Sequence, residues 1–193
     1  MARYPQCNIL VGVNGTGKTS FVKNILEHTV NEKNRALIVT PDPAEWRQVE
    51  EVAGRDIATF KGIRKIIYRP DAMDEIQRYY SNGMLILDDA RVYIHAQSDD
   101  WMQWIQIRRR QVGVDLFCCF HGITQVPPVF FTFSTNIVLF YTKDNIKRRA
   151  EYVDEADFEE IQAAKSRIAK KVTAGNPYAY EIITLDKRFA LKP

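Results

Sequence analysis

The sequence predicts a three-layer α/β fold, a mainly parallel central sheet flanked by helices. Three observations lead there. Short apolar runs alternate with segments of helical period along most of the chain. Several of those runs, "MLILDDA" (84–90) and "VDLFCCFH" (114–121) above all, are apolar without alternation, as strands buried on both faces must be. The first run, moreover, leads through a glycine-rich turn straight into an amphipathic segment.

In chain order, residues 8–12 read as a strand and 18–30 as a helix, with Phe21, Ile25 and Thr29 on one face and Val22 and Leu26 beside it. "RALIVTP" (35–41) is a second apolar strand, ended by Pro41 and Pro43. "IATF" and "IRKIIY" flank Lys61-Gly62 and predict a hairpin or two short strands. "PDAMDEIQRYYSNG" predicts a helix opened by Pro70 and closed by Gly83. A strand over 84–90 follows, then a helix over roughly 99–112 with Trp101, Trp104, Ile105 and Val112 on one stripe. Strands are expected over 114–121 and 136–142, with Pro127-Pro128 and the aromatics after it forming a loop and a core-facing segment. A long helix over 154–172 and an edge strand in "PYAYEIITLDKRFALKP" complete the chain.

With 193 residues, the chain is expected to form one domain: a core over 8–142, then a C-terminal helix and edge strand over 143–193. A chain of this size buries about 70% of the surface it exposes when unfolded, so no metal or disulfide staple is required. Its three cysteines, Cys7, Cys118 and Cys119, lie at or inside apolar runs and read as buried thiols of a reducing compartment. The start "MARYPQCNIL" lacks a charged-then-apolar signal pattern, and no run approaches the ~20 apolar residues of a membrane helix. A cytoplasmic protein is expected. A net charge of +3 permits a nucleic-acid partner without pointing to one.

The turn holds the first chemical signal. Gly12-Val13-Asn14-Gly15-Thr16-Gly17-Lys18-Thr19 matches the phosphate-loop (Walker A) pattern G-x-x-x-x-G-K-[ST] in full, between a strand and a helix as that motif requires. Its glycines let the backbone turn through positive φ and present N–H groups to phosphates. The helix beginning there aims its positive dipole end at the same place. Gly12, Asn14, Gly15, Thr16, Gly17, Lys18, Thr19 and Ser20 are therefore the expected nucleotide-binding residues, with Lys18 reaching the β- and γ-phosphates and the Thr19 hydroxyl ligating Mg²⁺. The fold expected is thus that of a P-loop NTPase of the RecA/ASCE kind.

The second signal is the strand "MLILDDA" (Walker B). It delivers Asp88 at the carboxyl edge of the sheet, where such folds bind ligands, and Asp88 is the second expected Mg²⁺ ligand. Asp89 stands where nucleotide-hydrolysing machines carry a carboxylate that polarises the attacking water, and this is the role expected of it; the alternative is that it caps the next segment. An adjacent acidic pair favours hydrolysis over phosphoryl transfer to a small molecule.

The phosphate loop, the "LDD" strand and the segment "RRRQVGVDLFCCFHGITQVPP" together resemble the FtsK–HerA superfamily of DNA-pumping ATPases, over roughly residues 8–142. That superfamily includes the genome-packaging ATPases of tailless viruses and the Zot-like ATPases of filamentous phages. In these relatives an Arg, a short spacer and Gly-(apolar)-(Asp or His) lead into a strand ending in Thr-Gln, a sensor near the γ-phosphate. Aligned on Gly113 and Asp115, the arginine falls on Arg110 and the sensor on His121, a departure from Gln; either His121 or Gln125 would take the role. The resemblance implies that an arginine completes a neighbouring subunit's site: Arg110, with Arg109, Arg148 and Arg149 as alternatives. On a helical wheel Arg108 shares the apolar stripe and is expected to be half-buried.

The resemblance implies an ATP- and Mg²⁺-dependent translocase of double-stranded DNA, working through backbone contacts as a pentameric or hexameric ring with a portal or capsid partner, in the host cytoplasm or the virion. Two other readings stay open: a nucleotide or small-molecule kinase sharing the phosphate loop, and a slow ATP-dependent assembly switch. Lys165, Arg167, Lys170 and Lys171 invite a DNA-binding reading of the last helix. Its acidic start and basic end, however, are what dipole complementarity produces without any ligand.

Overall fold

The computed structural model describes residues 4–94 and 100–187, and only the backbone of 100–103. Seven strands form a sheet with helices between them, an α/β fold as expected. The chain divides into two compact units, Met1–Gln6 with Phe21–Cys118, and Cys7–Ser20 with Cys119–Pro193.

In the first unit, β2 (Arg35–Thr40), β3 (Ile63–Ile67), β4 (Gly83–Leu87) and the first part of β5 (Val114–Phe120) run in the order β3-β2-β4-β5. All three pairings are parallel, with Ile38 opposite Ile86 and Leu85 opposite Leu116. The central strands are buried on both faces, so Leu37, Ile38, Val39, Leu85, Ile86 and Leu87 are wholly inaccessible. Helix α1 (Lys18–Thr29) enters this unit and buries Val22 and Leu26. The amphipathic α2 (Ala72–Tyr79) buries Met73 and Ile76, and α3 (Asp100–Arg108) buries Trp104 and Ile105. The side chain of Trp101, placed on the same stripe by its spacing, lies outside the described residues.

In the second unit β1 (Cys7–Val11) pairs parallel with β6 (Asn136–Phe140), which pairs antiparallel with the edge strand β7 (Tyr180–Thr184). Helix α5 (Glu155–Thr173) packs on β6 and β7 through Ile161, Ala164 and Ile168. Its first turn is capped by the Asp154 carboxylate, which accepts from the Ala156 N–H. Cys7, Cys118 and Cys119 are buried and form no disulfide. Among the described residues no helix is long and apolar enough to cross a membrane.

Four expectations are corrected. "IATF" is no strand: residues 54–58 make a 3-10 turn that buries Ile57, and only "IRKII" joins the sheet, as β3. The Asp56 carbonyl takes the N–H groups of both Thr59 and Phe60, which leaves no ladder for a hairpin. Gly83 does not close α2 but opens β4, since Tyr80 already lies outside the helix. Residues 128–133 form a helix, α4, entered through Pro128 in its first turn, where a missing N–H costs nothing. Finally, α3 stops at Arg108, so the wheel drawn through 112 loses its phase: Arg108 is exposed, while Arg109 is wholly buried and donates from Nη1 to the Pro5 carbonyl at 2.7 Å.

Arg35 ties together the pieces that meet below β2 and β4. Its guanidinium lies over the rings of Phe60 (4.8 Å) and Tyr80 (5.0 Å) and donates to the carbonyls of Ala58 (2.8 Å) and Ser81 (2.7 Å). Tyr80, whose phenol burial pushes above its ordinary pKa, donates to the Met84 carbonyl at 2.6 Å. Replacing Arg35 with alanine removes the cation–π contacts and several charge-assisted hydrogen bonds together. The expected loss is about 2–3 kcal/mol of unfolding free energy, read as a lower urea midpoint at unchanged slope.

Candidate nucleotide-binding site

The phosphate loop grows out of the buried end of β1. Gly12 N–H donates to the Phe120 carbonyl (3.1 Å) and Val13 N–H to the Tyr141 carbonyl (3.0 Å), so the loop's base is anchored to the ends of β5 and β6. A Cβ at Gly12 would lie 2.6 Å from Phe140 Cβ and 2.8 Å from Thr16 Oγ1, and no side chain fits. Gly15 and Gly17 have φ of 78° and 97°, conformations that cost a side chain dearly. The buried Thr16 closes the turn through Oγ1 on the Val13 carbonyl at 2.8 Å. Asn14 and Ser20 face solvent. Lys18 folds back over the loop, its Nζ 2.6 Å from the Gly12 carbonyl and 3.2 Å from that of Val13. The side chain is thereby held within the cradle that the loop forms, and Thr19 follows in the first turn of α1.

His121 lies one residue past β5, next to the residue whose carbonyl anchors Gly12. Its N–H donates to Gln125 Oε1 at 3.2 Å, so the two sensor candidates are in direct contact across a 3-10 turn. That turn is held from outside. Asp144 accepts from the Thr124 N–H at 2.7 Å and from the Thr142 hydroxyl, and Lys165 donates to the Asp144 carbonyl. A Cβ at Gly122 would lie 2.9 Å from Asp144 Oδ2, so glycine is what lets the carboxylate approach. Arg149 donates to the Thr124 carbonyl.

In the other unit, β4 presents Asp88 at its carboxyl end between β2 and β5. Asp88 N–H continues the ladder to the Val39 carbonyl (2.9 Å), and Tyr93 donates its hydroxyl to the carbonyls of both Asp88 and Val39. Asp88 is 8% exposed, and its carboxylate Oδ2 accepts from Trp46 Nε1 at 2.8 Å. A buried carboxylate oriented by an N–H is a hard oxygen donor of the kind Mg²⁺ takes alongside substrate phosphates, so the residue fits the metal expected of it. Asp89 is half-buried in a left-handed conformation, φ 53° and ψ 51°, rare for a residue with a side chain. Its carboxylate makes no capping hydrogen bond to the turn that follows.

No sequence signal marks Trp46 beyond its being a lone tryptophan in the Pro- and Asp-rich stretch after β2. The fold explains it: Lys65 on β3 is 4% exposed, and its Nζ donates to the carbonyls of Trp46 (3.0 Å) and Pro43 (3.3 Å), strapping the loop down. The Lys23 amine lies 5.2 Å above the indole ring.

The arginines separate. Arg109 is spent on the Pro5 carbonyl inside the core, and Arg149 on the Thr124 carbonyl. Arg148 is exposed, and so is Arg110, whose guanidinium rests 4.4 Å over the Tyr4 ring. On α5, Arg167 and Lys171 both bond Glu181, whose carboxyl they hold below its ordinary pKa, Arg167 more than Lys171.

Neither a protein-family model nor a curated protein sequence matches the chain. Solved structures do. The genome packaging NTPase B204 from Sulfolobus turreted icosahedral virus 2 in complex with sulfate is 16% identical, with 96% of this chain and 94% of that one covered at a TM-score of 0.73. The same protein in complex with AMP is 15% identical, covering 95% and 94% at 0.71. The conjugation coupling protein TcpA of pCW3, in its monomer form with ATPγS, is 13% identical, covering 77% of this chain and 52% of that one at 0.54. Likeness spanning nearly both chains shows a shared fold: this chain is built as the viral packaging NTPases are, the P-loop α/β fold that its sequence predicts.

Proposed function

We propose that this chain is an ATP-hydrolysing subunit of a ring-forming DNA translocase of the genome-packaging kind. The observation that carries the reading is a complete phosphate loop at a strand-to-helix step, in a fold shared with packaging NTPases that have been solved with AMP, ATPγS and AMPPCP. In this reading Gly15, Thr16, Gly17 and Ser20 offer backbone N–H groups to the phosphates, and Lys18 leaves the loop carbonyls for the β- and γ-oxygens. Thr19 and Asp88 are the ligands for Mg²⁺, which when bound neutralises charge on the triphosphate. Asp89 orients and deprotonates the attacking water, and the contact pair His121–Gln125 senses the γ-phosphate.

Arg110 is the arginine assigned to a neighbour's site, on its spacing from Gly113 and Asp115; like Arg148, and unlike Arg109 and Arg149, it is exposed. A pentameric or hexameric ring repeats one subunit's +3 charge around a pore, which suits backbone contacts to double-stranded DNA without base readout. Arg167 and Lys171 are already paired with Glu181, which weighs against α5 as the DNA-contacting element. A portal or capsid partner and a place in the host cytoplasm or virion belong to the same proposal.

Steady-state ATP hydrolysis, measured with and without double-stranded DNA across a salt series, tests the reading. Stimulation at low salt that fades as salt rises is expected. Turnover indifferent to DNA, with transfer of the γ-phosphate to a nucleoside acceptor, would replace it with a kinase.

Two variants test individual roles. Trp46→Phe keeps an aromatic ring at the position and removes the N–H that Asp88 accepts from; the Mg²⁺ concentration giving half-maximal hydrolysis should rise about tenfold or more. An unchanged Mg²⁺ requirement would reduce Trp46 to packing. Arg110→Ala and Asp89→Asn subunits should each be inactive alone and recover part of the wild-type rate when mixed, since one supplies the arginine and the other the carboxylate. A mixture as inactive as its components would rule out Arg110 acting in trans.

A further inference from the structure

A phosphate loop reads phosphates and leaves the base unread, and no base-reading motif is visible in the sequence. The structure places an unexplained aromatic against that loop. A Cβ at Gly17 would lie 3.3 Å from Tyr178 Cδ1 and 3.9 Å from Tyr178 Cβ, so the ring edge sits in contact range of the loop backbone. Yet Tyr178 is 63% exposed, the barest large hydrophobic among the described residues. One edge is fixed on the loop and the rest of the ring faces water.

The ring is held there by a stiff turn. At the end of α5, the N–H groups of Ala174, Gly175 and Asn176 bond the carbonyls of Lys170, Val172 and Lys171, each at 3.0 Å, with Gly175 at φ 98°. Asn176 Oδ1 then accepts from Tyr178 N–H at 3.2 Å across Pro177, whose φ is fixed by its ring. Ala179 is buried, and β7 begins at Tyr180. Tyr180 packs on Phe140 at 5.4 Å, and Phe140 Cε1 lies 4.0 Å from the same Gly17 position. An aromatic shelf thus runs from the loop to the edge strand, with Tyr178 as its exposed surface.

We propose that Tyr178 is the base platform of the nucleotide site: the base of a nucleoside triphosphate, its phosphates in the loop, stacks on the exposed face of this ring. The inference rests on the triphosphate site proposed above and deepens it. Stacking on a flat ring depends on π-area and is blind to base edges. The platform therefore selects purine over pyrimidine nucleotides and discriminates weakly between ATP and GTP.

Calorimetric titration with ATP, GTP, CTP and inorganic tripolyphosphate separates base from phosphate. Tyr178→Ala should weaken ATP and GTP by about tenfold, leave tripolyphosphate unchanged and erase the preference over CTP. Tyr178→Phe and Tyr178→Trp should bind ATP as the wild type does. Wild-type ATP affinity in Tyr178→Ala would overturn the platform, as would an equal loss of tripolyphosphate, which would mark the turn as a mere support for the loop. Failure of the phosphate site itself has a different signature: Lys18→Ala would bind tripolyphosphate and ATP as tightly as the wild type, and both proposals would fall.

Discussion

The backbone of Gly12 and Val13 is the constraint on which the rest depends. A buried strand cannot simply stop, because its last N–H groups need partners where water does not reach. Here they find the carbonyls of Phe120 and Tyr141, at the ends of the two strands between which the chain must then turn. That anchoring leaves Gly12 pressed between Phe140 and Thr16 with no room for a Cβ. Once the base is pinned, positive φ at Gly15 and Gly17 wraps the loop into a cradle, and Lys18 starts the helix. The same pinning sets His121 immediately after a carbonyl that the loop uses, so the strand end and the phosphate loop are registered by one hydrogen bond.

Within each unit the chain spends its polar interior on holding carbonyls and carboxylates in place. Lys65 straps the loop that carries Trp46, and Trp46 orients Asp88. Asp144 does the equivalent work in the second unit, gathering Thr124, Thr142 and, through its carbonyl, Lys165. Buried polar networks of this kind are stabilising only when their members are satisfied, and they rigidify what they hold. Asp89 in its left-handed conformation is the local cost of turning the chain sharply after β4.

Much of the fold was legible because its signals are local. Continuous apolar runs marked β2 and β5 within a residue of their observed ends and β4 within three, and the acidic start and basic end of α5 announced where that helix begins and ends. Two of the differences share one cause. "IATF" and the residues after Pro127 are short apolar stretches whose period is ambiguous, and their backbone partners decided the outcome. The arginine triplet was misphased because α3 ends one residue before Arg109, and helix ends are set by capping and packing that a wheel does not contain.

By itself the sequence determined the α/β class, the phosphate loop and the carboxylate strand, since each is written in consecutive residues whose spacing dictates strand, turn or helix. Tertiary structure alone decided which side chains support them. Trp46 reaches Asp88 across 42 positions, Asp144 reaches Thr124 across 20, and Tyr178 meets Gly17 only because a helix terminator and an antiparallel edge strand bring it back. Such partners are chosen by the packing of elements distant in sequence, and no local period or motif records that packing.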